Sequence, residues 1–451
     1  MSHDNRDNID FGNGDVKKLF GTIFVPTLLG MLFNMAFILT DGIFVGHGIG
    51  ANGLASINLI APIMMLVNGT GAMMGIGASV VAAIHLSKEN IKAARINVTQ
   101  AFIASALVGM AMGLVLYVCP DAVLHILGVS DTLHLSTKEY YLWFIPTCLL
   151  FLIETLGMFV IRLDGSPRYA MMANIIPAVV NIALDFTFIF PCHMGLRGAA
   201  LATDCGGLVG VAMVAYYMLF RVKTLRLYRL KLSKTSLALS LRNVGYMVKV
   251  GFSGFVGEVA VSVMMLMGNI MFAHAIGDHG VAAWSVACYI FPLIYMVYLA
   301  ISQSAQPIIS FNYGISQHDR VVKTFRHSLV IAFVSGLIFT LFMVAAPQVV
   351  ISAFLDSSAE AFPIATHGIS IFALGFIFTG INIGCIGYLQ SIERSNSATV
   401  LMILRGIALP VLLFLLLPHC WNVDGLWLAL PIAEAITTVV IFLVLTKAKR
   451  S

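Results

Sequence analysis

Apolar residues fill this chain in long runs, broken at short joints where charges, glycines and prolines collect. A membrane-spanning helix needs about 20 mainly apolar residues. Cutting at the joints predicts twelve such spans, over 18–46, 52–85, 92–118, 136–162, 168–190, 196–221, 244–276, 280–312, 321–345, 362–390, 396–417 and 424–446. Several are long enough to tilt or protrude. Composition agrees: the 451 residues are 59% hydrophobic and 10% charged, where a soluble domain carries about 25% charge. That excludes a conventional soluble enzyme, and the lack of long polar or Pro/Ser-rich tracts excludes a largely disordered chain. The fold class is all-α integral membrane.

Basic residues stay on the cytoplasmic side of a membrane. An inside N-terminus puts Arg6, Lys17, Lys18, Lys88, Lys92, Arg95, Arg162, Arg168, Arg320, Lys323, Arg326, Arg394, Lys447, Lys449 and Arg450 there. The joint after span six adds Arg221, Lys223, Arg226, Arg229, Lys231, Lys234, Arg242 and Lys249, with no acid among them, against Lys138 and Arg197 outside. Both termini are therefore expected in the cytoplasm of a multi-pass plasma-membrane protein, a bacterial inner membrane being the expected setting. The basic joint reads as a linker drawn to anionic lipid, at about 1 kcal/mol per near-surface charge, and not as a nucleic-acid site. The N-terminus, with Asp4, Asp7, Asp10 and Asp15, lacks the pattern of a cleaved signal peptide, and seven scattered cysteines without a C-x-x-C pair write neither a disulfide framework nor a metal site.

A shift of 227 residues aligns Ile43, His47, Ile49, Gly50, Gly53 and Ala55 with Ile270, His274, Ile276, Gly277, Gly280 and Ala282, and Pro191, Gly198, Leu201 and Ala202 with Pro418, Gly425, Leu428 and Ala429. One offset relates both ends of two six-helix halves, which predicts parallel repeats with a cavity between them and a rocking motion, the geometry of a transporter. The expected layout is a tail over 1–17, an N-terminal lobe over 18–221, a basic linker over 222–243, a C-terminal lobe over 244–446 and a tail over 447–451.

An acid at the bilayer centre costs at least about 2.5–3.5 kcal/mol, so the ionisable residues inside spans are candidates for function: Asp41, Glu154, Asp185, Asp204, Glu258, Arg405 and Glu434. Under the shift Asp41, Asp185 and Asp204 meet Gly268, Leu412 and Pro431. Counted from the helix ends, the three share a depth of roughly 8–12 Å. Asn181 lies one turn from Asp185 and Thr203 adjoins Asp204. Two carboxylates desolvated together cannot both stay charged without a cation, and an oxygen-only donor set suits H⁺ or Na⁺ better than a transition metal. The alternative is a set of buried acids satisfied by Asn and Thr donors. No credible P-loop, nucleophile elbow or H-E-x-x-H is present, so ATP is not the expected energy source.

Arg162-Leu-Asp-Gly-Ser-Pro, Asn181-Ile-Ala-Leu-Asp185, Phe188-Ile-Phe, Thr40-Asp-Gly-Ile-Phe-Val-Gly46, Leu404-Arg405 and Gly425-Leu-Trp-Leu-Ala-Leu-Pro431 together resemble the multidrug and toxic compound extrusion (MATE) transporters across all twelve spans. The resemblance implies a V-shaped pair of six-helix bundles that exports organic, often cationic, compounds in exchange for inward H⁺ or Na⁺. It implies that Asp41, Asn181, Asp185 and Thr203 form an ion site in the first lobe, that Pro26 kinks span one during switching, and that Glu258 occupies an acidic position of span seven. Departures are Thr155 and Met158, with Glu154 adjacent, where some members carry asparagines, and the lack of an acid in span ten. Glu258 is therefore expected to meet substrate or another polar group.

Asp204 is grouped with the ion-coupling set. Glu154, Glu258, Met35, Met64, Met65, Met264 and Met265 are candidates for a polar or forgiving substrate cavity, and Arg405 and Glu434 for a structural ion pair. His47 and His274 read as turn residues. The chain is expected to be a monomer without cofactor, working on a small organic substrate within membrane lipid. The competing readings are a flippase for a lipid-linked or polar metabolite on the same scaffold and, from another class, an integral membrane transferase.

Overall fold

The computed structural model describes residues 9–231 and 233–450. The expectations placed on Asp4, Arg6 and Asp7 lie outside the described residues, as do the side chains of Lys447, Lys449 and Arg450.

In hydrocarbon a backbone N–H or C=O has no water to bond, so each span satisfies its own ladder as a helix. Among the described residues eleven helices are long and apolar enough to span, and a bent pair supplies a twelfth span. In order they are α1 (Val16–Gly48), α2 (Ala51–Ser87), α3 (Ile91–Val118), the short α4 (Pro120–Ile126), α5 (Asp131–Leu163), α6 (Pro167–Ile189) and α7 (Gly195–Tyr216), which a π turn over Tyr217–Arg221 extends. There follow α8 (Lys234–Ile276), α9 (Asp278–Gly314), α10 (His318–Ala345), the short α11 (Pro347–Ile351), α12 (Ala361–Phe372) and α13 (Gly375–Ser391). The last are α14 (Ser395–Ile403), a π turn over Leu404–Ala408, α15 (Leu409–Leu416) and α16 (Pro418–Arg450), which is interrupted near its start where Trp421 and Asn422 leave the helical conformation.

Two spans differ from expectation. The seventh begins at Lys234 and not at 244, because Ser233 starts it: the Ser236 N–H donates to Ser233 Oγ at 3.2 Å and the Leu237 N–H to its carbonyl at 2.9 Å. The tenth, read as one run over 362–390, is two helices meeting at 44°. Gly375 lets the Pro431 backbone lie against it, and Thr340 Oγ1 donates at 2.7 Å to the Ala373 carbonyl at the break, so the bend leaves that acceptor satisfied.

The internal repeat is plainer in the joints than in the letters. Gly50 and Gly277 both take positive φ, +98° and +71°, and each carbonyl receives the N–H groups of the residues three and four along. The same offset relates the left-handed Glu89 and Ser316, the left-handed Gly195 and Asn422, and the prolines that open α4 and α11. Gly165 and Glu393 form a further left-handed pair one residue out of step.

By compactness the chain divides into a unit up to Phe255 with Ser310–Ser316, and a unit of Val256–Ile309 with Gln317 onward. The lobe limits 18–221 and 244–446 expected from the repeat differ from this division, in which the first turns of α8 belong to the first compact unit. In that unit α2 lies along α5 and α3, α6 along α7 and α1, and α5 along α7, around a core that includes Val45, Ile60, Val67, Tyr141 and Phe144. There α2 meets α8 so closely that a side chain at Gly77 would strike the Met247 carbonyl, and one at Gly251 that of Met73. Small residues permit such backbone approach in lipid. In the second unit α10 lies along α13, and α16 along α13, α12 and α15. Trp284 and Trp427 cover Gly268 and Gly368, and Phe272 stands 5.2 and 4.6 Å from the two indoles.

Candidate functional site

The first compact unit holds the acid cluster. Asp41 is seven residues from the end of α1, Asp185 four from the end of α6, and Asp204 nine from the start of α7. At 1.5 Å per residue these depths are roughly 6–14 Å from one face. Because α6 packs against both α1 and α7, the three acids converge: Asp41 and Asp185 lie within electrostatic reach of one another, and the buried Tyr140 of α5 within reach of all three.

The acids are not equivalent. Asp204 is buried but accepts from Thr147 Oγ1 of α5 at 2.6 Å. Asp185 is fully buried and neither carboxylate oxygen has a donor. Asp41 Oδ1 and Asn181 Oδ1 are likewise buried without one. Asn181 is held by its other end, Nδ2 donating to Thr203 Oγ1 at 3.4 Å while that hydroxyl donates to the Ala199 carbonyl at 3.1 Å. Gly206 makes room: a Cβ there would press on Asn181 and the Pro177 carbonyl at 3.1 Å. Asp41 Oδ1, Asn181 Oδ1 and both Asp185 oxygens are thus four buried acceptors without a donor among the described residues. An acceptor left unpaired in low dielectric costs its full desolvation penalty, and oxygen acceptors of this kind are the donor type that protons and small hard cations favour.

The remaining candidates lie elsewhere. Pro26 is buried inside α1, and it cannot donate to the Thr22 carbonyl one turn back. Thr27 Oγ1 beside it is buried and unpaired. Glu154 lies against Gly210 in the seam between α5 and α7, about 10 Å along α5 from Thr147. Met64 is partly buried against the apolar core of the first unit, and Met35 is half-exposed on α1.

In the second unit Arg405, on the π turn, makes a two-point ion pair with Glu434 of α16: Nη2 to Oε1 at 2.7 Å and Nε to Oε2 at 2.9 Å. Asn382 Nδ2 donates to the same Oε2 at 2.6 Å and Thr438 Oγ1 to Asn382 Oδ1 at 2.8 Å. Met264 lines a cavity of about 10 Å³ beside this pair, room for a single water at most. Glu258 is half-buried on α8, within electrostatic reach of Tyr295. Among the described residues no group of three or more His, Cys, Asp or Glu side chains could hold a metal.

Thr147, Tyr140, Asn382 and Thr438 were not legible as site residues. Each is a single polar residue in an apolar run, and only the facing helix shows what it serves. Asp164, quoted above merely as part of a motif, is a hub: its carboxylate accepts from Tyr217 Oη and from the N–H groups of Lys223, Thr224 and Leu225, all at 2.8–2.9 Å.

The sequence profile of the MatE family matches residues 26–187 and, a second time, 255–415. The chain belongs to the MatE family. The double match falls on the two halves of the repeat, and MatE proteins are transporters, not enzymes. Among relatives of MatE type, the multidrug export protein MepA of Staphylococcus haemolyticus is 22% identical over 429 residues, covering 94% of this chain and 92% of that protein. MepA of Staphylococcus aureus is 21% identical over 444 residues, covering 96% and 94%. Among solved structures, the MATE transporter VcmN of Vibrio cholerae superposes with a TM-score of 0.89 at 21% identity, over 96% of this chain and 97% of that one. A MOP superfamily transporter from Pyrococcus furiosus, described with a binding pocket of reverse polarity, superposes at 0.87 and 22% identity over 95% of each chain. These likenesses establish the fold.

Proposed function

We propose that this MatE transporter exports small organic, cationic compounds across a bacterial inner membrane, as a monomer with both termini in the cytoplasm, in exchange for inward movement of H⁺ or Na⁺ through the Asp41, Asn181 and Asp185 site. The observation that carries the reading is the set of four buried acceptor oxygens without a donor. Relatives called multidrug export proteins support the substrate class.

In this scheme one ion entering from the outer face is shared by Asp41 and Asp185, lowering their joint negative charge by one, and α1 bends at Pro26. Substrate binding weakens, and the emptied carrier returns. Asp204, already bonded to Thr147, positions α7 and carries no ion. Glu154, with Met35 and Met64, contributes to substrate contact in the first unit and Glu258 in the second, while Met264, buried beside the Arg405–Glu434 pair, packs the second unit. One charge entering down 100 mV supplies about 2.3 kcal/mol, which offsets the equal cost of moving one monovalent cationic substrate outward, so its accumulation draws on the concentration gradient of the coupling ion.

The test is efflux of ethidium, a fluorescent organic cation, from proteoliposomes under separately imposed proton and sodium gradients. Wild type is expected to respond to one of them, and Asp185→Asn and Asp41→Asn to neither. Gradient-driven efflux at the wild-type rate in Asp185→Asn would falsify the coupling assignment.

A further inference from the structure

The segment between α7 and α8 is not a loose tether. Over Val222–Lys231 it runs without helix, strapped across the ends of α3 and of the joint between α5 and α6. Besides the three N–H groups received by Asp164, Arg95 Nε donates to the Thr224 carbonyl at 2.7 Å and the Tyr228 N–H to Thr99 Oγ1 at 2.8 Å. Val222 and Leu225 point inward, buried. Lys223, Arg226, Arg229 and Lys231 are exposed.

Two further features adjoin this basic edge. No acidic residue occurs from Cys205 to Gly257, so the positive charge is uncompensated along the chain. The first turns of α8, tied to α3 by Gln100 Nε2 donating to Ser240 Oγ at 2.8 Å and Asn243 Nδ2 donating to Gln100 Oε1 at 3.1 Å, expose Leu237 and Leu241 by 62% and 68%. Leucines that open beside a row of cations suit the boundary between headgroups and acyl chains, where apolar side chains sink while basic ones meet phosphate.

We propose that the strap Val222–Lys231 and the first turns of α8 form a docking site for anionic phospholipid. Phosphate binds Lys223, Arg226, Arg229 and Lys231, and the acyl chains lie on Leu237 and Leu241. The site is independent of the coupling acids.

The test uses the full chain purified in a neutral detergent. Phosphatidylglycerol, phosphatidylcholine with the same acyl chains, and sn-glycerol 3-phosphate are titrated in turn, and bound lipid is counted by native mass spectrometry. Wild type is expected to prefer phosphatidylglycerol. Neutralising R226Q/R229Q/K231Q should weaken that binding about 100-fold, at ~5-fold per charge. The equally exposed triple K88Q/K323Q/R326Q should change it little. L237S/L241S, which keeps every charge, should weaken it as well. All these side chains are exposed, so the variants should keep the wild-type unfolding temperature. The proposal is overturned by wild-type phosphatidylglycerol binding in R226Q/R229Q/K231Q, by equal losses in both charge triples, which means diffuse attraction, or by full displacement with glycerol 3-phosphate, which means a free-phosphate site.

Discussion

Asp185 and Asp204 show how one residue type meets two environments. Each is buried in the same bundle, and the difference is a single hydroxyl: Thr147 reaches Asp204 at 2.6 Å and no side chain reaches Asp185. Thr147→Val should leave Asp204 without its donor, a loss of about 1–3 kcal/mol. A lower unfolding temperature with ion-driven efflux retained is the expected result, and loss of coupling would return Asp204 to the ion site. In the second unit, Arg405→Met strands Glu434 in an apolar setting and should cost roughly 3–5 kcal/mol. The double variant R405M/E434Q should recover most of the folded yield, as measured by size-exclusion recovery, because the two changes together leave no charge unpaired.

At the scale of elements, the joints carry more information than the spans. A helix in lipid is held by its own ladder, whereas a joint has to find partners for the groups the ladder leaves over. Asp164 does this for the strap. Asp164→Ala removes the acceptor of three backbone N–H groups and of Tyr217 Oη, so amide hydrogen exchange at Lys223, Thr224 and Leu225 should speed up at least tenfold. Unchanged exchange there would mean that Arg95 and Thr99 hold the strap alone. The repeat follows the same logic. Ten aligned letters revealed its ends, but the left-handed residues at 89 and 316 share no identity, Glu and Ser, and only the backbone shows that they make one turn. Asn422 stands where the first half has Gly195, Asn being a residue that tolerates φ > 0.

At the scale of the whole molecule, a duplicated scaffold carries Asp41, Asp185 and Asp204 in its first copy with no acid at the matching positions of the second, and the pH response of transport should trace to those three. The exposed ion pair at Asp121 provides the control. Its hydrogen bond with Lys138 Nζ, at 2.6 Å, holds the Asp121 carboxyl below the usual carboxylate range. A depressed pKa contributes stability that is present above the unfolded value, near 3.9, and is lost only as pH falls through the lower folded value. Between about pH 7 and pH 5 this pair does not change state. Asp121→Asn is therefore expected to keep the wild-type pH profile of efflux across that window, and a shifted profile would mean that His134, whose Nε2 lies 3.3 Å from Asp121 Oδ1, is linked to transport.

Length and apolarity of the runs were enough to count twelve spans, because lipid as solvent admits few alternatives to a continuous helix. The same letters exposed the repeat, the MATE resemblance and the confinement of Asp41, Asp185 and Asp204 to one half. Packing alone decided which acid keeps a donor, that Glu154 lies in the seam against Gly210, that span ten breaks at Ala373, and that the basic linker is strapped down. Each of these depends on which face of a neighbouring helix meets the residue, and helices that are apolar all round leave no mark in the sequence of which face that will be.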